Sequence, residues 1–242
     1  QIRGFKMRMV LDMQFVFTAN PEDYTNRGSI VTPLKDRIGS QILTHYPENL
    51  TVAKTITSQE AAEKELRSSD IAVPELAKDL LEQIGFEARK SEYIDQKSGI
   101  SARMSITAYE NLISTAERRA ILQNSGHTTL RFSDFMGVIP AITGKVELVY
   151  EGEQEGADFV AHHLISQAAK TLFTTLFPKI EKLEKEEVEG VYDGVLAWFF
   201  EEGRFELLDD SEDKAYQNNL ARIKPLDLLI QKFQPDTPKQ AV

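Results

Sequence analysis

The stretch SGISARMSITAYENLISTAERRA, residues 98–120, decides most of what the sequence predicts about the fold. Its apolar residues recur at helical spacing, in the set Ile106, Tyr109, Leu112, Ile113 and Ala116. Such a stripe predicts an amphipathic helix from about Ser101 to Leu122. Arg103 stands in the first turn of this helix, where the positive end of the helix dipole disfavours a cation. Arg103 is therefore either a solvated surface residue or the partner of an anion, since helix N-termini also bind phosphates.

Helices are also predicted on both sides of this stretch. Pro74 suits the first position of the helix PELAKDLLEQIGFEARK, and Arg89 and Lys90 suit its negative end. Downstream, an apolar stripe predicts a long helix over about 159–177 that ends at Pro178. Further helices are predicted in QEAAEKELRSS, which Thr57 and Glu60 open as a capping box, in RFSDFMGVIPAI, KIEKLEKEEVE and GVYDGVLAWFF, and around 212–223 and 225–233.

The first 50 residues have a β-like pattern instead. MQFVFTA, residues 13–19, is predicted to be a buried strand, and ILTHY, residues 42–46, a second short strand. Between them, Thr32 suits the N-cap of a short helix in TPLKDRIG. Arg37 near the end of this helix either complements the helix dipole or projects towards a phosphoryl group on a neighbouring subunit. Asn20 ends the first strand, where it either starts a turn or orients a water at the carboxyl edge of a sheet.

Composition excludes several classes of protein. The chain has 242 residues, of which 41% are hydrophobic and 27% charged, as is typical of a soluble globular protein. A net charge of −10 disfavours wholesale binding to nucleic acid or to an anionic membrane. The absence of cysteine excludes disulfides and thiolate chemistry, and no apolar run has the length of about 18 residues that a membrane span needs. We therefore expect a soluble cytoplasmic protein.

Several catalytic and metal-binding motifs are missing from the sequence. A phosphate-binding P-loop needs G-x-x-x-x-G-K-[ST], and the pair Gly144-Lys145 does not fit because the spacing and the following Val146 are wrong. His162 and His163 are adjacent on a helix and so point to different faces, which is poor metal geometry. We predict no metal site, and no G-x-S-x-G elbow supports a serine nucleophile.

Three segments in this order resemble the C-terminal half of an AAA+ ATPase of the MoxR and magnesium-chelatase type: FVFTANPEDYTNRG, TPLKDRIGSQI and SGISARMSITAYENLISTAERRA. In that family a strand ending in asparagine carries sensor 1, an L-x-D-R element carries the arginine finger, and S-x-R at the start of a lid helix carries sensor 2. The resemblance implies that Asn20 and Arg37 are catalytic and that Arg103 binds the nucleotide. Arg27 and Lys35 remain alternative finger cations.

The same resemblance implies a fold class. We expect an α/β remnant of an AAA+ core, made of short strands plus a helix, over residues 1–50. A mostly α-helical lid is expected over 51–143 and an α-helical C-terminal domain over 144–242. The chain begins QIRGFKMRMVLDMQ, which is strand-like and lacks an initial methionine, so we expect a fragment of a longer polypeptide. The P-loop and the magnesium-holding acids are then expected upstream of Gln1, and the fragment alone is expected to be inactive.

The implied function of the intact protein is ATP hydrolysis, with ATP and magnesium bound between the subunits of a homo-oligomeric ring, expected to be a hexamer. Hydrolysis would remodel an unknown protein substrate in a chaperone-like way, without a membrane or nucleic acid as partner. Two alternatives remain open: a non-catalytic helical interaction module that docks partners through residues 150–235, and an enhancer-type transcription activator. The aromatic residues Trp198, Phe199 and Phe200 are predicted to be core, with partner docking as the alternative.

Overall fold

A computed structural model of the chain describes residues 13–18, 36–61, 70–96, 100–179, 190–202 and 205–235. The chain divides into two compact units, Gln1–Thr44 and His45–Val242. The described part of the second unit is mostly helical and contains a small parallel sheet of two strands. The predicted helix in KIEKLEKEEVE lies almost entirely outside the described residues. Among the described helices, none combines the length and the apolar character that a membrane crossing requires.

The described helices and strands belong to the second unit. In chain order they are α1 (Leu50–Glu60), β1 (Asp70–Ala72), α2 (Glu75–Ala88), α3 (Arg103–Leu122), β2 (His127–Thr129), a 3-10 helix (Phe132–Val138), α4 (Ile139–Thr143), α5 (Tyr150–Glu155), α6 (Ala157–Leu176), α7 (Asp193–Glu202), α8 (Asp213–Leu220) and α9 (Lys224–Phe233). Strands β1 and β2 pair in parallel, with Ile71 opposite Thr128.

One hydrophobic core holds α2, α3 and α6 together, and its residues follow the predicted helical stripes. Its largest contributors from these three helices are Leu81, Ile84, Met104, Leu112, Ile113, Leu164 and Ile165, all of them buried. The predictions of these three helices are confirmed. The buried face of α3 is shifted from the predicted stripe, because Met104 and Ala108 are buried whereas Ile106 and Tyr109 are only partly buried. The helices predicted near 212–223 and 225–233 are likewise present as α8 and α9.

The start of α1 differs from the prediction. Asn49 caps this helix, because its side-chain oxygen accepts a hydrogen bond from Val52 N at 3.0 Å. Thr57, predicted as the N-cap of a helix, is instead buried in the last turn of α1, and its hydroxyl donates to the buried carboxylate of Glu82. The capping-box spacing was therefore misleading, since the Thr57 hydroxyl already has a partner on α2.

The first unit also differs from the prediction in its described residues. Residues 13–18 form no strand and are all exposed, so the predicted buried strand over 13–19 is wrong there. Residues 42–46 are likewise exposed and without strand structure, and Asp36 and Arg37 lie in a turn rather than in a helix. A strand needs a hydrogen-bonded neighbour, which an alternating sequence alone does not supply. Thr32 lies outside the described residues.

The interpretation of Trp198, Phe199 and Phe200 as core residues is wrong as well. The helix predicted in GVYDGVLAWFF forms as α7, but none of its residues is buried, and the Phe200 side chain is 86% exposed. An apolar sequence predicts burial only where another element covers it.

A close contact between α5 and the segment before α3 gives a stability prediction. A methyl group on Gly152 would clash with the carbonyl oxygen of Tyr93, which is backbone and cannot rotate away. We expect Gly152→Ala to lower the free energy of unfolding by about 1–3 kcal/mol, measured by denaturant unfolding. Gly126→Ala is the control, because a methyl group there meets no atom within 4 Å. Equal stability of the two variants would contradict this packing.

Candidate functional site

The predicted nucleotide-binding residue Arg103 lies at the N-terminal end of α3. It is the first residue of that helix, as predicted, and its side chain is exposed. Its backbone N–H donates to Ser101 Oγ at 3.1 Å, and the N-cap residue, Ala102, has no side chain that can accept further hydrogen bonds. Among the described residues, the Arg103 guanidinium has neither a hydrogen-bond nor an ion-pair partner. An exposed cation at the positive end of a long helix suits an anionic ligand.

Rigid packing positions this helix end. Met104 and Ser105, which follow Arg103, are both buried against α2. A methyl group on Gly85 of α2 would lie 3.4 Å from Ser105 Oγ and 3.7 Å from the side chain of Met104. Because α2 and α3 meet this closely, the backbone that bears Arg103 is fixed even though its side chain faces solvent.

A second arginine, Arg89, lies beside the same helix end and was assigned only a dipole role from the sequence. Its Nη2 is 3.7 Å from the same methyl position on Gly85. The guanidinium packs over the rings of Tyr46 at 4.6 Å and Phe86 at 5.3 Å. Burial lowers the pKa of Arg89, although it stays charged at neutral pH. Its Nε is buried and has no hydrogen-bond partner among the described residues.

The other two predicted site residues are placed differently. Arg37 is exposed in a turn of the first compact unit, whereas Arg103 belongs to the second. Asn20, Arg27 and Lys35 lie outside the described residues. The convergence of Asn20, Arg37 and Arg103 on one nucleotide therefore stays a prediction.

A buried charge network joins α3, β2, the 3-10 helix and α8, and sequence reasoning missed it. Arg119 forms a two-pronged ion pair with Asp134, with Nη2···Oδ2 at 2.9 Å and Nε···Oδ1 at 3.3 Å. Its Nη1 also donates to Thr128 Oγ1 at 2.7 Å and to Asp213 Oδ1 at 3.1 Å. Arg131 reaches the same Asp213 oxygen at 2.7 Å. Every charged group in this network is paired, so its role is to hold the fold rather than to bind a ligand.

The same network fastens the segment before α8 to the helical core. Arg131 donates to the carbonyl oxygens of Asp209 at 3.0 Å and Ser211 at 2.8 Å, and its guanidinium lies 4.1 Å from the centre of the Tyr216 ring. Burial raises the pKa of Tyr216, so the ring stays neutral beneath the cation. Helix α8 and the segment before it are thus attached to the helical core through the hydrogen bonds and ring contact of Arg131.

In the part of the chain that the structure describes, no group of three or more histidine, aspartate or glutamate side chains converges to hold a metal ion. The ring of His163 stacks on Phe159, with centroids 6.1 Å apart, whereas the neighbouring His162 is exposed. Gly144-Lys145 follows the end of α4, and Gly144 is its C-cap.

Comparison with protein-family models, with curated proteins and with solved structures finds no match to this chain.

Proposed function

We propose that the chain is the C-terminal part of a ring-forming AAA+ ATPase of the MoxR and magnesium-chelatase type, which couples ATP hydrolysis to remodelling of a partner protein. The motif resemblance suggests the class, and the observation that carries the proposal is the position of Arg103. The S-x-R motif is followed by a helix of 20 residues, and its arginine is exposed at the start of that helix. A phosphate anion is the chemical group that this donor set fits best.

The proposed roles follow from the three predicted residues. Arg103 contacts the γ-phosphate, Asn20 orients the attacking water, and Arg37 reaches the nucleotide of the adjacent subunit. The sequence contains no P-loop, so the phosphate cradle comes from outside residues 1–242 and the chain alone is inactive. Magnesium neutralises phosphate charge when it is bound, and we assign its ligands to the segment that supplies the P-loop.

The proposed ATPase also has an expected oligomeric state, cellular compartment and substrate class. The nucleotide lies between the subunits of a homo-oligomeric ring, with a hexamer expected, in the cytoplasm. The family resemblance implies a protein substrate, and the net charge of −10 disfavours wholesale binding to nucleic acid or anionic membranes. Remodelling follows when hydrolysis moves the helical lid against the core.

Replacement of Arg103 tests the proposal in the polypeptide that also carries the P-loop. We expect Arg103→Ala to lower ATP turnover by about 10- to 100-fold and to weaken ATP binding, as for the loss of one charge-assisted hydrogen bond. Steady-state turnover and nucleotide titration measure the two effects. Arg118→Ala is the matched control, because Arg118 is an exposed arginine on the same helix near the opposite end. Equal turnover of the two variants would contradict a nucleotide-sensing role for Arg103.

A further inference from the structure

Helix α7 presents an apolar face that the other described elements leave largely exposed. Leu196, Phe199 and Phe200 follow i, i+3, i+4 spacing and so lie on one side of the helix. Their exposed fractions are 46%, 44% and 86%. We call these three residues the α7 surface. Large apolar side chains grouped in this way mark an interaction site more often than scattered exposed residues do.

The α7 surface is supported from behind by a rigid aromatic cluster. The ring centroids of Trp198 and Phe199 are 5.0 Å apart, and Phe205 lies 5.5 Å from Trp198 and 6.0 Å from Phe199. All three pairs meet edge to face, which is a favoured arrangement of aromatic rings. Phe199 therefore already packs on two aromatic neighbours before any partner arrives, which reduces the entropy cost of ordering it on binding.

Acidic residues surround the α7 surface in the sequence and are exposed in the structure. From Gly190 to Asp213 the chain has eight acids and one arginine. The exposed acids of this segment include Glu201, Glu202, Glu206, Asp209 and Asp210. Glu202 pairs with Arg222 at 3.0 Å, but the segment as a whole stays strongly negative. Glu201 and Glu202 directly follow Phe200 on α7, and Glu206 directly follows Phe205 of the aromatic cluster, so we call these three acids the acidic rim. A partner that covers the α7 surface must tolerate this negative charge and gains from pairing with it.

We infer that the α7 surface docks a basic amphipathic helix of a partner protein. Apolar residues of that helix, spaced i, i+3, i+4 and i+7, would cover Leu196, Phe199 and Phe200, while its lysines and arginines meet the acidic rim. A second copy of this chain fits poorly, because a symmetric contact brings acid rim against acid rim. An anionic membrane is repelled by the same charge. The inference is independent of the proposed ATPase function, since it uses none of Asn20, Arg37 or Arg103.

The test measures binding of a designed peptide to the full chain. The peptide has about 18 residues, which is long enough to form a helix, and places leucine and lysine on opposite faces of that helix. Trp198 is the only tryptophan, so its emission reports binding at this surface directly. Anisotropy of the labelled peptide gives the affinity. We expect Phe200→Ala to weaken binding by about tenfold or more, as for a central apolar anchor. We expect the Glu201→Gln, Glu206→Gln double variant to weaken binding by about three- to tenfold and to reduce its salt dependence.

Matched controls distinguish binding at the α7 surface from non-specific binding of the peptide to exposed apolar or acidic residues elsewhere on the chain. Leu122→Ala removes another exposed apolar residue, which is 70% exposed at the end of α3, and should leave the affinity unchanged. The Glu151→Gln, Glu153→Gln variant removes two exposed acids of α5 and should also bind normally. The same peptide with glutamate in place of lysine should fail to bind. The inference is overturned if the basic peptide does not bind, if the acidic peptide binds equally, or if the α7 variants bind like the controls. It is also overturned if the chain self-associates and Phe200→Ala abolishes that association.

Discussion

Under the proposed ATPase function, replacing Arg37 with alanine is expected to lower ATP turnover by about 10³-fold or more in the assembled ring, while ATP binding is retained. An arginine finger acts on the charge that develops in the transition state, so its loss slows the chemical step without removing the contacts that hold the ground-state nucleotide. Its exposed side chain in a turn is compatible with reaching a neighbouring subunit. Steady-state turnover and equilibrium nucleotide binding, measured on the same preparation, separate the two quantities.

Two other cations near Arg37 provide the controls. Arg27→Ala and Lys35→Ala remove the alternative finger candidates and are expected to retain most of the turnover. If Arg37→Ala turns over ATP normally, the finger role moves to whichever of the other two variants is inactive. If all three variants are active, the chain has no arginine finger in this segment.

The largest stability effect is expected at Asp134. Asp134→Ala should lower the free energy of unfolding by about 3–5 kcal/mol, because it leaves the buried Arg119 without its main counter-charge. Asp134 is 3% exposed and Arg119 is 8% exposed, so water cannot readily replace the lost carboxylate. Asp134 also accepts a hydrogen bond from the backbone N–H of Arg131 at 2.8 Å, which is lost in the same variant. Denaturant unfolding of the full chain measures the effect.

Asp210→Ala is the matched control for this prediction. Asp210 is an exposed aspartate whose backbone carbonyl, rather than its side chain, accepts from Gln123. Its removal is expected to change the free energy of unfolding by less than about 0.5 kcal/mol. A loss below about 1 kcal/mol for Asp134→Ala would mean that Arg119 is satisfied by its remaining partners, Thr128, Thr129 and Asp213.

The helical part of the fold was predictable because its information is local. The buried faces of α2, α3 and α6 repeat with the helical period, and Pro178 follows the end of α6 as predicted. Pro74 is the N-cap of α2 and not its first residue, one position from the prediction. Strands β1 and β2 were missed, since three residues each are too few to show a period. The predicted strands at 13–19 and 42–46 were wrong where the structure describes them, because an apolar pattern alone does not make a strand.

Polar contacts between residues far apart in the sequence could not be predicted. Arg119 and Asp213 are 94 residues apart in the chain, and no local pattern pairs an arginine with one aspartate among many. The orphaned Nε of Arg89 is equally invisible in the sequence. The position of Arg103 could be predicted, because it depends only on where its own helix begins. Phe200 was misjudged, since local apolar character says nothing about which elements cover a helix.

Complementation between two inactive variants tests the central claim most directly, because it asks whether Arg37 acts on a neighbouring subunit. Arg37→Ala and Asn20→Ala, each in the polypeptide with the P-loop, are expected to be nearly inactive alone. In an equal mixture, about a quarter of the interfaces place an intact Asn20 beside an intact Arg37 from the next subunit. The account predicts that turnover rises on mixing towards the level set by that fraction. Turnover that stays at the level of the separate variants, at every mixing ratio, would contradict it.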